Sequence, residues 1–265
     1  MTATERRSMG PVRRAIASHP IASYLIIAFG ASWALTGLLS VSLLFGLLAL
    51  FGPTVAAVVV TWADGTLGQL RHRITDWRLS PRLYLVGLGV PFVVTATAAI
   101  LWQLAGHAAP GLGSISAIEV LIFVLVIGEE IGWRGFLMPH LRGRMSLPAA
   151  GLATGIVWSL WHLPIYLQPG QGLAAFAVFA WWVVPFAVVM GFVAERARFS
   201  VLVATVMHGA ANIAMPILLP SVDHTWTMLA TGTIYLLLAG ALVVQSRSRS
   251  PQSSVAPFNS TEVAA

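Results

Sequence analysis

The chain has 265 residues, of which 57% are hydrophobic and only 9% charged, with a mean hydropathy of +0.83 and a net charge of +6. A soluble domain carries about 25% charge, so this chain cannot cover a water-facing surface, and a soluble globular fold is excluded. The 15 basic residues are all arginine and there is no cysteine, which removes disulfides, thiolate metal ligands and cysteine catalysis.

Residues 1–20 form a basic segment carrying Arg6, Arg7, Arg13 and Arg14. The apolar run that follows lacks a small-residue cleavage site and is succeeded by further runs, so it reads as an uncleaved first span rather than a signal peptide. In chain order the predicted spans are 21–39, 41–62, 83–104, 117–137, 147–167, 173–194, 200–219 and 226–244. Each approaches the ~20 residues that cross a ~30 Å hydrocarbon core. The runs do not alternate apolar with polar residues, so they do not read as β-barrel strands. With no water there to satisfy the backbone, helices are expected. The first two spans are nearly continuous, with Gly37 and Ser40 marking the expected turn. Residues 64–81 read as an interfacial amphipathic stretch, and 246–265 as a disordered cytoplasmic tail rich in Ser, Pro and Ala. The expectation is an all-α, polytopic transmembrane bundle of about eight spans over 21–245, without the internal repeats of many transporters.

Arginine tests the count. Clusters at Arg71, Arg73, Arg78 and Arg82, at Arg142 and Arg144, at Arg196 and Arg198, and at Arg247 and Arg249 fall in alternate loops, and the loops between carry none. By the positive-inside rule the basic loops and both termini are cytoplasmic. Short clusters between apolar runs are a footprint of topology, so nucleic acid is not expected as a partner despite the charge. The bilayer is. The arginine-rich, lysine-free composition fits a bacterial protein of the plasma (inner) membrane.

Ionisable groups within spans point to function, because each costs about 2.5–3.5 kcal/mol on insertion scales. Gly128-Glu129-Glu130-Ile131-Gly132-Trp133-Arg134 lies in the fourth span. Glu130 and Arg134 are four apart on one helix face and can pair, whereas Glu129 points about 100° away with no partner on its own helix. His162 lies in the fifth span, and His208 and Asn212 lie four apart in the seventh. A structural ion-pair network would need one Glu–Arg pair, which leaves the second glutamate unexplained. Together these residues supply a carboxylate to deprotonate water, imidazoles to position it and donors for an oxyanion. Glu129, His162 and His208 are also a candidate divalent-metal set, for instance for zinc. Trp133, Trp158 and Trp161 flank the group, while Glu119 and Asp223 at span ends read as helix caps. There is no His-Glu-x-x-His and no Gly-x-Ser-x-Gly. Depth is uneven: Glu129 and His208 come out about 12 Å from the cytoplasmic span ends and His162 about 20 Å, at 1.5 Å per residue.

Three motifs in order, Glu129-Glu130-x-x-x-Arg134, Trp158-x-x-x-His162 and His208-x-x-x-Asn212, resemble those of the CPBP family, which includes CAAX prenyl endopeptidases and bacteriocin-processing or abortive-infection proteins. Gly52-Pro53-Thr54-Val55-Ala56-Ala57 is similar to a further feature of that family. The core resemblance covers residues 115–215. It implies an intramembrane endopeptidase, often classed as a metalloprotease, cleaving a peptide or membrane-protein substrate near the cytoplasmic membrane face. By this resemblance Glu129 activates water with His162, His208 and Asn212 stabilise the oxyanion, and Glu130 and Arg134 hold the geometry. Trp158 stands where the family usually has Phe and is expected to act only as an aromatic wall. The alternatives are a non-catalytic immunity or scaffold protein on the same fold, and a proton-coupled transporter using the Glu and His residues as a relay.

Overall fold

The computed structural model describes residues 10–39 and 41–249, and every regular element among them is helical. Helix α1 (Pro11–Ser18) meets α2 (Pro20–Thr36) at a 104° bend, with a proline opening each. Helices α3 (Leu43–Ala49) and α4 (Gly52–Asp64) together make one apolar stretch. A surface helix α5 (Leu67–Thr75) and the long α6 (Pro81–Leu104) follow. The next span is segmented into α7 (Ala117–Leu125), α8 (Ile127–Gly132), a π-helical turn (Trp133–Leu137) and α9 (Met138–Arg142). The fold closes with α10 (Leu147–Trp161), the short α11 (Leu163–Tyr166), α12 (Leu173–Arg196), α13 (Val201–Leu218) and α14 (His224–Arg249).

The result is an all-α polytopic bundle. Five helices are long and apolar enough to cross a membrane, or six if the bent α1–α2 pair is one span. These five coincide with predicted spans. The remaining predicted spans correspond to the bent pair, to the segmented α7–α9 stretch, and to α10, which is 15 residues long. The most apolar window of α6 is only 28% buried, and Leu85, Val93 and Ile100 are exposed along it. Such faces are stable only against hydrocarbon.

The two ends of the bundle differ in charge. Arg13 donates to the carbonyls of Trp62 and Ala63 at the C-terminus of α4, where a cation meets the negative helix end. Arg73 donates to Gly135 O at 2.8 Å, Arg142 pairs with Glu195, and Arg198 pairs with Asp76. These bonds gather the expected basic loops at one end. Opposite, Gly113 N–H donates to Ile217 O and Ser221 to Pro110 O, and no arginine lies in the segments 105–117, 162–173 or 219–224. The expected caps are present there: Glu119 accepts from Ser116 N–H, and Asp223 accepts from Trp226 N–H. Residues 64–81 run along the arginine end as α5 and its flanks. Helix α14 continues to Arg249, so the first residues of the expected tail are helical; residues 1–9, Ser40 and 250–265 lie outside the described part.

Close packing holds the glutamate segment. Thr54 Oγ1 donates to Gly128 O. A Cβ on Gly132 would fall inside van der Waals contact with Pro53 and the Tyr24 hydroxyl. The Gly52–Thr54 run thus lets α4 approach α8 at backbone distance, as small residues do where membrane helices cross. Gly132→Ala is expected to lower stability by about 1–3 kcal/mol through overpacking against an immobile proline, read as thermal unfolding in detergent. On the far side, Gly151 and Gly155 bring α10 onto α12, where a Cβ at Gly155 would lie 2.9 Å from Val184 O. That contact fixes the helix carrying Trp158 and, at its C-terminal cap, His162.

Candidate active site

Glu129 and Glu130 lie on α8, and Arg134 lies one turn on, within the π-helical turn. Glu130 and Arg134 are completely buried, and Arg134 Nη1 reaches Glu130 Oε1 at 2.9 Å. The same oxygen accepts from His208 Nδ1 at 2.9 Å. Arg134 Nη2 approaches Met190 Sδ at 3.1 Å, and its guanidinium stacks 4.5 Å from the Trp158 ring. A π-helical turn inserts an extra residue into the helix and is frequent at functional sites. Here it contains Arg134 together with Trp133, Phe136 and Leu137, all completely buried, as is Met138 after them.

Glu129 diverges from its neighbour as helical geometry requires. Its partner comes from another helix: the Trp158 indole N–H donates to Glu129 Oε2 at 2.8 Å. Trp158 therefore does more than form the expected aromatic wall, since a phenylalanine has no such donor. Its ring also lies edge-on to His208, with centroids 4.9 Å apart. His162 Nδ1 is 3.0 Å from the carbonyl of Trp158. A carbonyl only accepts, so Nδ1 carries the proton and Nε2 is left as the acceptor. Trp133 and Trp161 meet edge-on beside this group, with centroids 5.8 Å apart.

Glu129, His162, His208, Asn212 and Trp158 line one cavity of about 270 Å³, completed by residues such as Leu47, Val126, Phe179 and Trp182. Glu130 and Arg134 lie behind its wall. Glu129 and His162 line the same cavity although residue counting put them at different depths. Tyr24 belongs to the same assembly although the sequence did not mark it: it is fully buried, stacks on Phe136 at 4.8 Å and approaches Trp133 edge-on at 5.8 Å. Met190 is equally invisible in the sequence. An apolar residue in an apolar span carries no signal of its own.

A second cavity, of about 860 Å³, shares Phe179, Trp182 and Asn212 with the first and reaches Gly113, Ser114, Pro220 and His224 at the arginine-free end.

Among the described residues no three of His, Asp and Glu converge as a metal-ligand group. His208 Nδ1 and Arg134 both occupy Glu130 Oε1, and the Trp158 indole occupies Glu129 Oε2.

Trp158→Phe is expected to lower kcat about tenfold with little change in KM. It keeps the ring but removes a hydrogen bond to a carboxylate, a class worth about 1.5–3 kcal/mol. Steady-state cleavage kinetics check it, and a pure KM effect would assign Trp158 to binding instead.

Residues 111–214 match the family described as Type II CAAX prenyl endopeptidase Rce1-like. A curated relative, CAAX prenyl protease 2 of the archaeon Methanococcus maripaludis, is 26% identical over 144 residues, covering 51% of this chain and 52% of the relative. The chain thus spans about half the length of the curated relative it matches. Every residue of the three motifs falls inside the matched segment, and over that segment the chain is similar to CAAX-type proteases.

Proposed function

We propose that this protein is an intramembrane endopeptidase that hydrolyses a peptide bond with water activated by Glu129 and His162. The observation that carries this reading is the shared cavity: a carboxylate, two imidazoles and a carboxamide from three helices face one space. In the reaction, Glu129 takes a proton from a water held also by His162 Nε2. The resulting hydroxide attacks the scissile carbonyl carbon. The Asn212 amide N–H groups stabilise the oxyanion, and His208 adds a donor when both its nitrogens are protonated. The carbon–nitrogen bond then breaks, and the proton held by Glu129 passes to the leaving amine. Glu130 and Arg134 hold His208 in position without touching substrate.

The resemblance of the relative, named as a CAAX prenyl protease, supports a peptide substrate and raises the question of prenylation. The test is cleavage of internally quenched peptides by the purified protein in detergent, with and without a farnesylated C-terminal cysteine motif. Activity that survives stringent chelation supports the metal-free Glu–His chemistry. Activity lost to chelation and restored by zinc would assign the same residues to a metal. A wild-type protein that cleaves no peptide, yet whose cellular effect survives Glu129→Gln, would favour the scaffold reading.

A further inference from the structure

A side chain outside the cavity wall holds the turn that carries Arg134. Gly135, the next residue, is buried within that π-helical turn. In an α-helix its carbonyl would accept from the N–H of the fourth residue on. That residue is Pro139, which has no N–H and whose ring crowds the carbonyl four residues before it. A buried carbonyl without a donor is costly. The donor comes from Arg73 on the surface helix α5, whose Nη1 lies 2.8 Å from Gly135 O although the two residues are 62 apart in sequence. The following carbonyl, Phe136 O, also takes a side-chain donor, with His140 Nδ1 at 2.7 Å. Arg73 differs from the other arginines of its loop. It is half-buried and enters no ion pair among the described residues, while Arg71, Arg78 and Arg82 are exposed. Burial pushes its pKa down from the ordinary arginine value, a desolvation cost that an arginine needed only to mark topology would avoid by facing water.

We propose that Arg73 is a positioning residue for the reaction: by donating to Gly135 O it fixes the π-helical turn, and with it the placement of Arg134 on Glu130 and Trp158. The effect on rate rests on the endopeptidase reading, while the role as donor rests on the hydrogen bond and on Pro139 alone. The line of contacts is short. Arg134 immediately precedes Gly135, its Nη1 is 2.9 Å from Glu130 Oε1, and its guanidinium lies 4.5 Å from the Trp158 ring. Glu130 Oε1 in turn holds His208, and the Trp158 indole holds Glu129. A shift of the turn therefore reaches both the general base and the oxyanion side, although Arg73 itself lines no part of the cavity. Loss of such a residue leaves the substrate's own contacts in place, so it lowers kcat rather than affinity.

Arg73→Met keeps the apolar stem and removes the donor. With the quenched peptides in detergent, the expected result is a fall in kcat of about tenfold with KM unchanged, since misplacement transmitted from outside a site is costly in rate. Arg71→Met, on the same helix but exposed, removes the same charge and is expected to cleave like wild type. The deciding variant is Pro139→Ala, which returns an N–H to the position from which an α-helix serves Gly135 O. Combined with Arg73→Met it is expected to recover most of the lost kcat, a recovery that loss of a topology-marking charge would not show. Pro139→Ala alone completes the cycle. Should Arg73→Met fail to fold, recovery of a folded protein by Pro139→Ala reads the same bond. An Arg73→Met variant with wild-type kcat, or one that Pro139→Ala recovers neither in rate nor in unfolding temperature, would overturn the proposal. A wild-type protein that cleaves no peptide would sink the endopeptidase reading instead, and the same cycle followed by thermal unfolding would still decide whether Arg73 is the donor that the turn lacks.

Discussion

Glu129→Gln is expected to abolish peptide cleavage while leaving the protein folded and inserted. Glutamine keeps the size of the side chain, and its carbonyl oxygen can still accept the Trp158 indole N–H. It cannot take a proton from water at neutral pH. Loss of a general base costs typically 10²–10⁴-fold in rate, which is the expected fall in kcat. Stability should hold, because Glu129 has no cationic partner among the ion pairs of the described residues, and neutralising a buried lone carboxylate relieves desolvation. The measurement is quenched-peptide kinetics beside thermal unfolding in the same detergent. A variant that cleaves like wild type would remove Glu129 from the mechanism. One that neither cleaves nor folds would assign it a structural role.

Arg134→Ala is expected to show the opposite balance, with a large loss of stability. Arg134 and Glu130 are both fully buried and 2.9 Å apart. Deleting one member of a buried pair leaves the other charged and unmatched, at about 3–5 kcal/mol. The cost falls in a densely connected place, since Glu130 also holds His208 and the guanidinium lies over Trp158. Glu130→Gln should lower stability in the same direction but by less, because an amide oxygen can still accept from Arg134 and His208. Combining Glu130→Gln with Arg134→Met removes both charges, and should recover part of the loss that Arg134→Ala produces. Unfolding temperatures of the variants in detergent test the coupling. If the double variant is no more stable than Arg134→Ala, the pair is not the source of the effect.

These two predictions separate groups that the sequence presents as adjacent letters. Residue spacing was enough to divide them. The i,i+4 interval joins Glu130 to Arg134, and the 100° helical step turns Glu129 away; the structure contains that pair and gives Glu129 a different neighbour. The i,i+4 step from His208 to Asn212 likewise puts both on the cavity wall. Such local relations are legible because a helix has one repeat, whatever surrounds it.

Relations between helices were not legible. Nothing in a run of apolar letters says that Trp158 rather than another tryptophan meets Glu129, that Met190 and Tyr24 pack around the pair, or that the fourth span breaks into α7, α8 and a π-helical turn. At that break Gly128 and Gly132 meet Phe51 and Pro53, a contact between segments about 75 residues apart in the chain, where side-chain volume and not hydropathy decides the fit. Hydropathy and arginine spacing by themselves determined an α-helical membrane bundle with a basic end, because the bilayer admits few backbone solutions and charge is costly within it. Only the tertiary structure decided which helices bring the polar groups to one cavity. A cavity wall is set by which side chains from separate helices meet, and Glu129 of α8, Trp158 of α10, His162 at its cap, and His208 and Asn212 of α13 meet there.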